Sequence, residues 1–303
     1  MVRAGYAAHH AMSALPSEEE AERLLVGPES ITWQRASDVR LFFVMLYPLL
    51  LQLAHPVVGA GVIDFSDFER RPWRRLLGTL DWVTLLVYGG RDAIPAGRRL
   101  RELHRRIRGV RPDGRRYSAL EPPAYAWVHA TLIEAYIAGH RHFGTPLRPA
   151  ECESFYQQYR GLGRLCGVRE QDLPADWESF RRYFEETTER VLEPTEAVFR
   201  VLATVRAAPP PPLWPRLLPW RALRWPAARA VWLGGVGLLG ARLRARLGIR
   251  FSRRDELAFQ ALGRLSRSLD PLLGESLRTV GPAQLRVRRR AIARGPLGDG
   301  SLA

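Results

Sequence analysis

The chain has seven histidines, and three of them, His55, His104 and His129, fall among apolar residues. His104 lies in "RELHRRIRG", residues 101–109. Placed on a helix, residues 98–108 bring Leu100, Leu103, His104 and Ile107 onto one face by the i, i+3, i+4, i+7 rule. Arg98, Arg99, Arg101, Arg105, Arg106 and Arg108 cover the rest, so the pattern points His104 to the core and the arginines to water or an anion. A buried imidazole needs a partner for its nitrogens: a carbonyl, a carboxylate or a metal. On pattern alone a satisfied core histidine is the favoured reading. His129 shares a helical face with Tyr125, Val128, Leu132 and Tyr136, with Glu134 on another, and His55 is a third inward candidate. Three inward histidines on separate helices exceed what a plain helical core usually carries. The HExxH, paired Glu-x-x-His and CxxC spacings of zinc and di-iron sites do not occur. One imidazole with an open opposite face and arginines nearby suits haem, where the ring binds iron from one side and guanidinium groups meet the propionates.

The elements that must position these rings read as helices, because apolar residues recur at three-to-four spacing and alternating runs are sparse. A first helix is expected after Ser17, which can cap it, with three glutamates at its positive end. Residues 38–62 are apolar on all sides, yet Pro48, Gln52, His55 and Pro56 interrupt them. A buried core helix ending at His55 is therefore expected in place of a membrane span. Residues 70–90 read as a helix opened by Pro72 and stopped by Gly89-Gly90. "PDGRRYSALEPP" reads as a loop with room for a short strand pair. Helices then run to Gly144, from Pro149 to Gly167, and along "ADWESFRRYFEETTERVL". The expected organisation is all-α. Residues 1–17 form a flexible tail containing His9 and His10, and 18–205 the main helical domain. A proline-rich linker spans 206–215, a C-terminal helical cap 216–290 and a disordered tail 291–303.

Composition narrows the function classes. The net charge is +15, but all 46 basic residues are arginine and they are scattered, as in a GC-rich coding bias, without a nucleic-acid motif; no specific nucleic-acid partner is expected. Cys152 and Cys166 form no disulfide framework and fit a reducing compartment. The first 20 residues lack an apolar signal core, which predicts a cytoplasmic protein. Residues 213–250 mix tryptophan, leucine and arginine, which suits either a cap on the core or contact with a membrane surface.

Taken in order, "LLLQLAHPVVGAGVIDFSDF", "PWRRLLGTL", "LHRRIRG", "YSALEPPAYAWVHATLIEAY" and, more loosely, "LRARLGIRFSRRDELAFQAL" resemble the catalytic domain shared by bacterial latex clearing protein, a rubber oxygenase, and the fungal MpaB oxygenase. The same domain occurs in many actinobacterial proteins, to which this chain is similar over residues 28–290. The resemblance implies an all-helical fold holding one haem b. In the rubber oxygenase the proximal iron ligand is a histidine followed by a short x-x-Val-Arg run. His104, followed by Arg105, Arg106, Ile107 and Arg108, is similar to it and takes that role, with His129 in reserve and His55 next. A distal Arg-x-x-Lys-Thr pattern is matched by "RLLGT", giving Arg75 and Thr79 as hydrogen-bond donors toward dioxygen. Gly78 stands at the lysine position, so the distal pocket differs from that of the rubber oxygenase. The expected function is a haem b-dependent oxygenase acting with dioxygen on a hydrophobic, isoprenoid or lipid-like molecule. The alternative is a non-catalytic peripheral membrane or lipid-binding protein attached through 213–250.

Overall fold

Proline and glycine set most of the boundaries in the computed structural model, which describes residues 15–212, 215, 218–274 and 278–286. Residues 1–14 of the expected N-terminal tail, with His9 and His10, the expected tail 291–303, and Trp214 in the linker lie outside the described residues. Helix α1 (Glu18–Arg23) opens with a capping box in which Ser17 and Glu20 satisfy each other's backbone N–H groups. Helix α2 (Ile31–Arg35) follows, and then a 3-10 turn over Val39–Val44.

The stretch expected to form one apolar helix is broken. Helix α3 (Leu46–Leu53) and helix α4 (Pro56–Phe65) meet at a break at Ala54-His55, where the bent pair turns by 103°. His55 adopts extended geometry (φ −76°, ψ 123°), as Pro56 requires of its neighbour, and its Nδ1 accepts from Val57 N at 3.3 Å as the cap of α4. Pro48 interrupts nothing because it sits in the first turn of α3, where no N–H is needed. Among the described residues no single helix is long and apolar enough to cross a membrane.

Helix α5 (Pro72–Tyr88) and helix α6 (Ala93–Arg105) are joined by a short turn in which Gly90 takes a left-handed φ of 56°. An antiparallel pair, β1 (Arg108–Val110) with β2 (Arg116–Ser118), leads into helix α7 (Pro122–Phe143). Helix α7 is the axis of the molecule, and α3, from the stretch expected to be buried, packs against it with Leu50, Leu51 and Leu53 enclosed. Trp127, Ala130, Ile133, Ala138 and Phe143 are fully enclosed, and burial extends round most of its circumference. Trp127 Nε1 donates to the Leu51 carbonyl at 3.0 Å and Gln52 Nε2 to Thr131 Oγ1 at 2.9 Å, which locks α3 onto α7.

Helices α8 (Pro149–Leu165) and α9 (Trp177–Arg190) wrap this axis, with Tyr156, Tyr159 and Phe180 filling the space between. Helix α10 (Glu196–Ala207) extends into the residues expected to be linker, so the proline run begins only at Pro209. Helix α11 (Trp220–Leu238) crosses the 3-10 turn and α3 with almost no gap, since a Cβ on Gly234 would fall 2.1 Å from the Phe43 carbonyl oxygen. Helices α12 (Ala241–Arg246) and α13 (Arg253–Ser268) close the fold, which among the described residues is all-α apart from one strand pair. Beyond α13, buried Arg40 bridges Asp38 and Asp270, each at 2.6 Å, and fastens the C-terminal part to the start of the chain.

Candidate functional site

Helix α6 ends at Arg105, three residues sooner than the arginine pattern suggested. Ile107 leaves the helix because its carbonyl accepts from Ala119 N at 3.0 Å as the hairpin begins, and its side chain joins Val57, Tyr117 and Ala124 in a small apolar cluster. His104 is thus in the last turn of α6, half-buried. Its Nδ1 lies 2.8 Å from the Leu100 carbonyl. A carbonyl can only accept, so Nδ1 carries the proton and Nε2 keeps its lone pair. The described residues give Nε2 no hydrogen-bond partner. Tyr125 of α7 meets the ring edge-on at 5.7 Å between centroids, and its hydroxyl donates to the Cys166 carbonyl at 2.8 Å.

Arg75 and Thr79 occupy one face of α5, one turn apart. Arg75 Nη1 donates to Thr79 Oγ1 at 3.2 Å, and Thr79 Oγ1 donates in turn to the Arg75 carbonyl at 3.1 Å. Burial is the main force holding the His104 pKa below its ordinary value; the Leu100 carbonyl opposes it and the Arg75 charge adds to it. The Arg75 guanidinium is itself pushed down by the protein around it, although its side chain still meets solvent. Arg75 thus belongs to a wall of α5 that water reaches.

The same wall is unusually open for its composition. From Trp73 to Leu85, helix α5 carries seven large apolar side chains (Trp73, Leu76, Leu77, Leu80, Trp82, Val83 and Leu85), none of them buried, and Leu77 is 43% exposed. Burial of the helix begins only at Leu86. A concavity of about 230 Å³ opens at the N-terminal end of α5, lined by Glu69, Pro72, Arg200 and Thr204 among others, but it includes neither Arg75 nor His104.

The other sequence candidates are dispersed. His129 is 6% exposed, with Nε2 donating to the Tyr159 carbonyl at 2.7 Å; Gly163 of α8 lets the helices close over it, since a Cβ there would lie 2.6 Å from that nitrogen. Burial lowers its pKa to about 4. His55 is the cap of α4, and Arg108 is exposed on β1 with Nε donating to the Arg105 carbonyl at 2.9 Å. Arg101, expected on the wet face, is buried: its Nη1 donates to the Gly167 carbonyl at 2.8 Å, at the left-handed turn (φ 88°) that ends α8. Sequence reasoning missed the Tyr125 contact with His104 and the Arg101 lock, since both join residues of different helices.

His55 makes a pH prediction. Burial, with a smaller contribution from the Arg111 charge, lowers its pKa to about 4 from the ordinary 6.5. The unfolded chain therefore takes up a proton that the folded chain refuses, so stability falls as pH drops from about 6.5 to about 4 and levels off below. The contribution is on the order of 3 kcal/mol. His55→Asn keeps a capping acceptor and removes the titration. Urea unfolding at pH 7 and pH 4.5 is expected to show a smaller acid loss for this variant than for the parent; equal losses would refute the assignment.

Together the fold and the site define a helical domain that presents one neutral imidazole, an adjacent guanidinium and an apolar wall. Among the described residues no three His, Cys, Asp or Glu side chains converge as metal ligands. Residues 33–268 match the family described as ER-bound oxygenase mpaB/B'/Rubber oxygenase, catalytic domain, and the chain belongs to that family. No curated protein and no solved structure matches it. The family consists of oxygenase catalytic domains, so the chain is an oxygenase, an oxidoreductase, and the non-catalytic alternative is set aside.

Proposed function

We propose that this chain is a haem b-dependent oxygenase in which His104 is the axial ligand and a hydrophobic small molecule reacts with dioxygen. The observation that carries the reading is the His104–Leu100 hydrogen bond, which fixes one tautomer and leaves Nε2 as the free donor. A backbone carbonyl behind an imidazole is the arrangement that orients a ligating histidine and raises its basicity. The residues fit the group in two further respects. The depressed pKa keeps His104 in the neutral, ligating form. The half-open apolar face of α5 offers a wall suited to a flat, greasy macrocycle and an apolar substrate. His129 fits less well, because its Nε2 is already bound and Gly163 crowds it.

A bound haem supplies the activation of dioxygen. The protein's part is orientation and polarity. Thr79 donates its single proton to the Arg75 carbonyl, so it steadies Arg75, and the remaining guanidinium N–H groups are the donors available on that wall. Tyr125 holds the other edge of His104, its own hydroxyl fixed to the Cys166 carbonyl. Cys152 and Cys166 are buried free thiols, and the proposal places the enzyme in a reducing, cytoplasmic setting.

Protein expressed with haem supplementation is expected to carry stoichiometric iron and a Soret band. A purified, folded protein with neither would overturn the reading.

A further inference from the structure

Between Glu196 and Asp255 the sequence holds twelve arginines and no aspartate or glutamate. Four of the nine tryptophans fall in the same stretch. Such an imbalance leaves arginines with nothing of their own segment to pair with. Arg229 and Arg244 find Asp255 and Glu256 across α13, and Arg242 finds Glu189. Arg206, Arg221, Arg224, Arg250, Arg253 and Arg254 are exposed and have no carboxylate partner among the described residues.

Two of these, Arg221 and Arg224, sit on the least supported part of the fold. Trp220 Nε1 donates to the Ala208 carbonyl at 3.1 Å and ties the start of α11 to the body, but every residue from Arg221 to Ala227 is exposed. Trp225 is 74% exposed and Leu223 39%, and Leu218 just before the helix is 46% exposed. Arg221, Arg224 and Trp225 share one side of the helix as i, i+3 and i+4, while Leu223 faces away from Trp225. Two isolated turns gain little from propensity alone, least of all with Pro226 inside them. A large indole in water beside unpaired guanidinium groups is the composition that an interfacial helix uses.

We propose that the N-terminal half of α11 docks on the surface of an anionic phospholipid bilayer. The arginines meet the headgroup phosphates, and Trp225 beside them enters the boundary between headgroups and acyl chains. Charge complementarity selects this occupant. Leu218, exposed just before the helix, favours lipid over nucleic acid, which gives an aliphatic side chain little to contact. The inference stands apart from the haem assignment, since none of these residues touches His104, Arg75 or Thr79.

The test is co-sedimentation of the full-length protein with phosphatidylcholine vesicles, with and without phosphatidylglycerol, alongside Arg221→Ala/Arg224→Ala and Trp225→Ala variants whose circular dichroism matches the parent. Binding is expected only with phosphatidylglycerol and is expected to vanish in 1 M salt. Each arginine contributes about a factor of five to partition, so the double variant should bind roughly thirtyfold more weakly. Parent protein that stays in the supernatant with phosphatidylglycerol at low salt would overturn the proposal. So would unchanged binding by both variants, or an oligonucleotide that displaces the protein from vesicles while the variants still bind lipid.

Discussion

His104→Ala is expected to lose at least about a hundredfold in haem retention, read as the Soret absorbance per mole of protein after gel filtration. Altering a group that hydrogen-bonds a ligand already costs about ten- to a hundredfold, and the ligand itself is worth more. The structure makes the comparison sharp, because the candidate histidines differ in what their nitrogens do. His104 offers a free Nε2, whereas His129 uses Nε2 on the Tyr159 carbonyl and His55 uses Nδ1 on Val57 N. His129→Ala should therefore weaken the fold by opening a hole between α7 and α8 yet keep the Soret band in the protein that remains folded. Added imidazole should restore a Soret band to His104→Gly, since a small cavity then faces the iron. A parent band that survives in His104→Ala and disappears in His129→Ala would move the ligand to α7.

Gly97→Ala is expected to destabilise the protein by about 1–3 kcal/mol, the usual range for overpacking. In an exposed helix the same change would add stability, by about 1 kcal/mol, because alanine is the better helix former. Here the sign reverses. A Cβ on Gly97 would lie 2.3 Å from the Leu165 carbonyl oxygen and 2.7 Å from its carbon, so backbone must move. The contrast is Gly161→Ala on α8, whose Cβ would meet only the flexible end of Leu24 at 3.2 Å. Urea denaturation should separate the two, with Gly97→Ala shifted to a lower midpoint and Gly161→Ala unchanged or higher. Gly97 is seven residues ahead of His104 on the same helix, so pushing α6 off α8 also displaces the imidazole. Weaker haem retention in Gly97→Ala is therefore expected alongside the lost stability. Equal midpoints for the two variants would mean that the close approach of α6 and α8 is not a constraint.

Much of the helical framework is legible in the amino-acid sequence, because helix ends are local events. Ser17 with Glu20, Pro72, Gly89-Gly90, Pro149 and Gly144 each act within one turn through their own dihedral limits or hydrogen-bonding groups, and the helices begin and end where they stand. The family is legible as well, since it resides in the order of short motifs that the chain carries. Local patterning also places His104 on an inward face and brings Arg75 and Thr79 one turn apart on α5.

Tertiary structure decided the rest. Apolarity predicted one buried core helix over residues 38–62; the burial holds, but a 103° bend at Ala54-His55 splits the stretch, and α7 becomes the axis because it packs on both α3 and α8. Helical periodicity sent Arg101 to water, while the carbonyl that draws it inward belongs to Gly167, 66 residues away. The difference between His104 and His129 also lies across helices: both face inward by spacing, and only packing determines that Tyr159 and Gly163 close over one while Nε2 of the other stays free. Sequence determined which residues lie together within a turn. Packing between helices determined which nitrogen was left to do chemistry, because that depends on carbonyls and ring edges that no local pattern encodes.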